Sequence, residues 1–235
     1  MRLDKYLSDH TDLTRSLASK SIRQGRVSVN RIKAKSGAQK IHPLSDHIQL
    51  NGEAIAAQLA NRYFMMNKPQ GLVCANSDGD HPLVFDVMHA EHNLQKLHTV
   101  GRLDKDTTGL LLITDDGHWS HCITSPKHHQ AKTYRARLAE PLIAEAEQLF
   151  SQGVTLKDDV KPTLPAQLER ISEQEVLLTI HEGRYHQVKR MFAALGNRVE
   201  TLHRHSIGSI TLDSDLLPGH YRALSEQEVQ ALQVK

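Results

Sequence analysis

Aromatic residues are scarce in this chain. One Trp, five Tyr and four Phe in 235 residues leave few rings on which a nucleobase could stack. Cysteine is scarcer still: Cys74 and Cys122 stand alone with no CxxC, so neither a disulfide framework nor a cysteine zinc cage is encoded. No apolar run reaches the ~18 residues that a membrane helix needs. The opening MRLDKYLSDH carries charges where a signal peptide is apolar. These absences predict a cytoplasmic protein with reduced thiols and no membrane partner. Net charge is also small, since 29 Lys and Arg against 27 Asp and Glu leave +2. Taken alone, that balance argues against a nucleic-acid partner. What is abundant is histidine, sixteen in all, which raises a metal hypothesis.

The small sum hides an asymmetry. Residues 1–40 hold ten Lys and Arg against Asp4, Asp9 and Asp12, a net +7 that leaves −5 on the other 195 residues. In this basic head, Leu3, Tyr6 and Leu7 at i, i+3 and i+4 predict a helix turn. Thr14 reads as the N-cap of a second helix that buries Leu17, Ala18 and Ile22 and ends at Gly25. Arg15, Lys20 and Arg23 point outward, and RVSVN and HIQL follow as short strands, with Asn51-Gly52 as a tight turn. A solvated face would explain a few of these charges. Ten against three favour a phosphate-binding surface, with Arg15, Arg23 and Arg26 as its candidate contacts. RLDKYLS, TRSLASKSIRQGRVSVNR and DHIQLNG together resemble the S4 RNA-binding domain, which predicts a first domain over 1–58 and a second over 59–235.

The second part alternates short strands and helices without a βαβ rhythm, which predicts an α+β domain around a mixed, mainly antiparallel sheet. Strands are expected at 62–66, 72–75, 100–104, 110–114, 132–138, 176–180 and 207–212. Helices are expected at 118–125, 141–153, within 183–195, and at 225–233, where Ser225 and Glu228 form a capping box. Three segments carry candidate chemistry. In GRLDKDTTGLLLITDDG, residues 101–117, Asp115 and Asp116 suit a turn, and Asp106 suits a local bond to backbone. Asp104 follows an apolar residue at a strand edge, and from spacing alone a structural and a chemical role stay equally open. In EGRYHQVKRMFAALG, residues 182–196, Val188, Met191, Phe192 and Leu195 form one buried stripe, leaving Arg184, Lys189 and Arg190 off it. In SPKHHQAKTYRARL, residues 125–138, four cations surround Tyr134 with no acid.

These segments resemble, in order, the motifs of the RNA pseudouridine synthases, in the branch that carries an S4 domain and acts on ribosomal RNA. The matching residues are Asn67-Lys68-Pro69-x-Gly71, then Gly101-Arg102-Leu103-Asp104 with Thr107 and Gly109-Leu110-Leu111. Lys132-Thr133-Tyr134 follows, then Leu178 with Gly183-Arg184-x-x-Gln187-Val188-Lys189. The resemblance implies isomerisation of one uridine in 16S rRNA, position 516, by a cofactor-free monomer acting on that RNA or on the assembling small subunit. The alternatives are a 23S rRNA enzyme of the same branch and a non-catalytic S4-type assembly protein. It implies Asp104 as the catalytic carboxylate and Lys189 as its cation, where many relatives have Arg and the bidentate fork that Lys lacks. Tyr134 would stack on the flipped uracil and Leu178 would form an apolar wall. Arg102 would fill the space left by the base or hold its phosphate, and Arg184 would hold phosphate. Lys68 would take a structural or phosphate role. Addition to C1′, a glycal route and attack on C6 all need one aspartate and stay open. No metal is implied: His128-His129 and His203-x-His205 lack a matching second site.

Overall fold

The structure, a computed structural model, describes residues 1–11, 13–43, 45–55, 61–125 and 130–232. The chain divides into two units, Met1–Asn61 and Arg62–Lys235. The boundary expected at 58/59 falls among residues 56–60, outside the described ones.

The first unit holds α1 (Leu3–His10), α2 (Arg15–Arg23) and four short strands: β1 (Val27–Val29), β2 (Ile32–Lys33), β3 (Ile48–Leu50) and β4 (Glu53–Ala54). They form an antiparallel sheet of order β2-β1-β3-β4. Leu3, Tyr6 and Leu7 are buried with Ile22, Val27, Ile41 and Ile48. Thr14 caps α2, its Oγ1 accepting from the Leu17 amide at 3.3 Å. Leu17 itself is 47% exposed, contrary to expectation. The buried stripe of α2 is Ala18, Ser21 and Ile22, at i, i+3 and i+4, which leaves Leu17 a full residue round the helix. Gly25 takes φ +71 just past the C-cap, and Asn51 and Gly52 both take positive φ, as a two-residue type I′ turn requires.

The second unit carries β5 (Tyr63–Lys68), β6 (His98–Thr99), β7 (Thr108–Thr114), α3 (Gly117–Thr124) and β8 (Lys132–Leu138). It continues with α4 (Ala146–Gln152), β9 (Gln167–Arg170), β10 (Glu175–Ile180), α5 (Gln187–Ala194) and β11 (Val199–Ile207). It closes with β12 (Ile210–Thr211), β13 (Tyr221–Ala223) and α6 (Glu226–Ala231). Its sheet runs β13-β5-β7-β11-β8-β10-β9, with β12 on β11 and β6 on β7. Every pairing is antiparallel except β11 with β7, so the sheet is mixed and mainly antiparallel.

The central strands read as unbroken apolar runs because both faces are covered. Leu111 and Ile113 join the larger core with Phe150, Met191 and Phe192 from α4 and α5. Leu110 and Leu112 join a second core with Trp119, Ile123 and Leu232.

Four expected elements differ. Residues 72–75 make one isolated bridge, Val73 to Leu83, because the chain enters a 3-10 turn at Val84. Residues 100–104 are irregular after β6, turned by Gly101 at φ +74. The 207–212 run is split by a turn at Gly208, so β11 ends where a strand was expected to begin. The helix expected from Pro141 starts only at Ala146, since Leu142 N–H bonds the Glu173 carbonyl instead (3.0 Å).

Candidate active site

Asp104 stands on the irregular segment between β6 and β7, and its neighbours hold that segment down. Leu103 is buried, with its amide on Cys74 Sγ at 3.5 Å. The Thr107 amide donates to the Asp104 carbonyl at 3.1 Å, and the Gly71 amide to the Lys105 carbonyl at 2.8 Å. Beneath them lies Lys68, fully buried at the end of β5. Its ammonium donates to the carbonyls of Pro69 (3.1 Å), Lys105 (3.4 Å) and Thr107 (2.9 Å). Burial pulls this ammonium below the usual lysine value, against the field of Cys74, Asp106 and Asp104. Of the two roles expected for Lys68 the structure supports the structural one. A side chain with no accessible surface cannot meet a phosphate.

The opposite wall is α5. Val188, Met191 and Phe192 turn into the core and leave Lys189 facing Asp104. Lys189 Nζ lies 3.2 Å from Asp104 Oδ2 and 2.6 Å from Asp106 Oδ1. Partial burial opposes its charge, but these two carboxylates outweigh that and raise its pKa above the usual lysine value. The bond from Lys189 in turn holds the Asp106 carboxyl below its usual range. His186 Nε2 stands 3.4 Å from Asp104 Oδ1, so each Asp104 oxygen faces a different ring or ammonium nitrogen.

Tyr134 on β8 is 8% exposed and lines the same cleft, with Leu103, Ile180 and Leu202 as apolar surface. Leu178 does not line it. It pairs with Tyr134 across β10 and β8 and is fully buried, whereas Ile180, two residues along β10, is the wall. Arg102 is exposed at the cleft and makes no hydrogen bond or ion pair among the described residues. Arg184 also borders the cleft, but its guanidinium is committed elsewhere. It binds Glu182 (3.0 Å), Asp159 (2.9 Å) and the carbonyls of Lys161 and Pro162 (2.7 and 2.6 Å). The expected phosphate hook is therefore a brace for the loop ahead of α5.

Two further groups stand at or beside the cleft: Thr107, which only the family motif marks, and Asp106, which the sequence marks only as a turn residue. Asp106 bonds its own backbone amide, as a turn residue should, but it also takes the shorter bond from Lys189. Thr107 Oγ1 is buried on the cleft wall with no partner among the described residues. Neither lies in a periodic element, so hydrophobic periodicity does not point to them. Asp115 and Asp116 do what the turn predicted: Asp115 accepts from Arg62, and Asp116 caps α3 at His118 and Trp119. Of the histidines, His203 is bonded to Thr108 at 2.9 Å, and His128 and His129 lie outside the described residues. Arg15, Arg23 and Arg26 are exposed in the first unit. Arg15 lies 3.6 Å from Asp4, and Arg26 bonds Asn51 at 2.7 Å.

Known proteins match this arrangement along the whole chain. A family model for RNA pseudouridylate synthase matches residues 62–194, and one for the S4 domain matches residues 1–48. Ribosomal small subunit pseudouridine synthase A of Vibrio cholerae is 53% identical over 232 residues, 99% of each chain. The protein of that name from Escherichia coli K12 is 50% identical over 232 residues, covering 99% of this chain and 100% of its own. A crystal structure of a pseudouridylate synthase has a TM-score of 0.72 at 47% identity, covering 99% of this chain and 100% of the other. With the carboxylate, cation and tyrosine of the cleft falling in the matched region, the chain belongs to the RNA pseudouridylate synthase family, as an enzyme that isomerises uridine and carries an S4 domain ahead of its catalytic domain.

Proposed function

We propose that this enzyme converts a single uridine of 16S rRNA, position 516, to pseudouridine, with residues 1–58 docking the RNA and residues 59–235 performing the reaction. The choice of RNA is supported by full-length likeness to proteins named for the small ribosomal subunit. It acts as a cytoplasmic monomer on that RNA or on the assembling subunit. Among the described residues no helix is long and apolar enough to cross a membrane.

The chemistry is carried by one observation, the Asp104 carboxylate set 3.2 Å from Lys189 at the edge of a cleft floored by Tyr134. The N1–C1′ bond breaks, the uracil turns, C5 bonds C1′, and the C5 proton leaves. Nothing is oxidised and no group is donated, so the residues need only reach the sugar, hold the detached base and accept a proton. The nucleotide must first be flipped from its stack, at a cost of a few kcal/mol. Asp104 then acts on the nucleotide, with Lys189 as counter-charge. Tyr134 offers its ring to the uracil, between the apolar surfaces of Ile180 and Leu202. Arg102, unengaged at the mouth, fills the space that the base vacates or holds its phosphate.

Two measurements test this. Asp104→Asn should abolish tritium release from [5-³H]uridine-labelled 16S rRNA while RNA binding persists; near-normal turnover would remove Asp104 from the reaction. Mapping pseudouridines in rRNA from a deletion strain should show one missing site, in 16S. A missing 23S site would move the enzyme to the large subunit.

A further inference from the structure

We infer that the outward ring of Tyr185 is a stacking platform for the nucleobase adjoining the uridine in the cleft. Of the ten aromatic side chains, Tyr185 is the one that is exposed, at 74%; the other nine are buried or half-buried. A large ring left in water at the rim of an RNA enzyme's cleft calls for a partner, because every base offers a π-face to stack on it. Its position supports the same occupant. The Tyr185 ring stacks on His186 with centroids 3.8 Å apart and planes inclined by 20°. His186 lines the cleft, with Nε2 3.4 Å from Asp104 Oδ1. The two rings thus form a stack that begins at the carboxylate and runs outward, the direction a neighbouring nucleotide must take.

The stack is also held in place. His186 is the N-cap of α5 at φ +46, a conformation that non-glycine residues adopt only when their surroundings impose it. Arg190 donates to the Tyr185 carbonyl at 3.3 Å while its other nitrogen is bound to Asp159 and to the Lys157 carbonyl. With Arg184 likewise committed, the rim offers an aromatic face here in place of a free guanidinium. Flipping a uridine strips its neighbour of a stacking partner. A fixed ring beside the cleft replaces it.

This inference rests on the uridine occupying the cleft beside Asp104. Its test compares wild type, Tyr185→Ala and Tyr185→Phe by fluorescence anisotropy on one oligoribonucleotide spanning the target uridine. The RNA is used intact, abasic on the 5′ side, and abasic on the 3′ side. Tyr185→Ala should bind the intact RNA roughly five- to a hundred-fold more weakly, and Tyr185→Phe like wild type. On one of the two abasic RNAs, wild type and Tyr185→Ala should bind equally. Unchanged binding of intact RNA by Tyr185→Ala, a loss undiminished on both abasic RNAs, or an equal loss in Tyr185→Phe would each overturn the platform. A wrong choice of RNA shows separately, as a wild-type enzyme that fails to convert the 16S fragment. The variants are then compared on a fragment bearing the uridine that it does convert in total rRNA.

Discussion

Lys189 reaches from the first turn of α5 to within 3.2 Å of Asp104, two residues that the chain separates by more than eighty positions. The shorter bond, 2.6 Å, goes to Asp106. One ammonium therefore serves two carboxylates. Asp106, the more exposed of them, holds the lysine in reach of Asp104, whose other oxygen faces His186.

Removing that ammonium should be costly for turnover. Lys189→Ala is expected to lower the single-turnover rate by roughly 10²–10³, the scale seen when one preorganised electrostatic group is lost. Lys189→Arg keeps the charge and should retain far more activity. An alanine variant within twofold of wild type would deny Lys189 its role.

Gly109 should tolerate no side chain. It takes φ +99 in β7, and a Cβ there would lie 2.4 Å from the Arg204 carbonyl oxygen and 2.8 Å from the Arg204 nitrogen. These are backbone atoms of the parallel neighbour β11 and cannot swing aside. Gly109→Ala should cost about 3 kcal/mol or more in urea unfolding, strain and overlap together. Gly52→Ala has a similar φ, +89, but open space around it, and should cost only about 1 kcal/mol. Equal losses would show that backbone conformation alone decides both.

The C-terminal helix should be sensitive to acid. Bonds from Arg222 hold the Glu228 carboxyl at about 2, against a usual 4.5, and Glu228 also closes the capping box with Ser225. A carboxyl depressed by folding stabilises above its unfolded value, and that contribution fades as pH falls from about 4.5 to about 2. Glu228→Gln should therefore be less stable than wild type at pH 7, by about 1 kcal/mol, with the difference vanishing near pH 2. Trp119 reports directly, since its indole N–H bonds the Val229 carbonyl of α6 at 3.0 Å. A gap that persists at pH 2 would assign the effect to packing.

The basic head should control salt dependence. Replacing Arg15, Arg23 and Arg26 together by Ala is expected to weaken RNA binding and flatten the slope of log K against log [salt] by about 2. The rate of bound substrate should be unchanged. An unaltered slope would place the phosphate contacts elsewhere.

Where the sequence could be read and where it could not follows from how local each signal is. The stripes of α1 and α5, the Thr14 cap, the Ser225–Glu228 box and the Asn51-Gly52 turn all depend on neighbours within a few residues, and all stand in the structure. Asp104, Tyr134 and Lys189 are legible because family motifs mark them, and they share one cleft. Leu178 and Ile180 lie on the same face of β10, being two residues apart. Which of them borders the cleft depends on where the elements packed against that face end, and spacing does not encode this. The ion partners of Arg184 and the burial of Lys68 arise from chain segments that only the fold brings together. The hairpin β11–β12 leaves little mark, because a single glycine turn inside an apolar run hardly changes its composition.

The three carbonyl bonds of Lys68 also bear on how the active site comes into being. Two of them, to Lys105 and Thr107, join the end of β5 to a segment nearly forty residues later, so the ammonium is fully satisfied only when β5 and β7 are already paired. Peeling the Asp104 segment away would leave this cation with the Pro69 carbonyl alone, and depriving a buried charge of its partners ordinarily costs several kcal/mol. Opening of the Asp104 segment is thereby coupled to loss of the central sheet. Asp104 sits on irregular backbone that shares the cooperativity of the core, and amide exchange at Gly71 and Thr107 should be as slow as in the strands beside them.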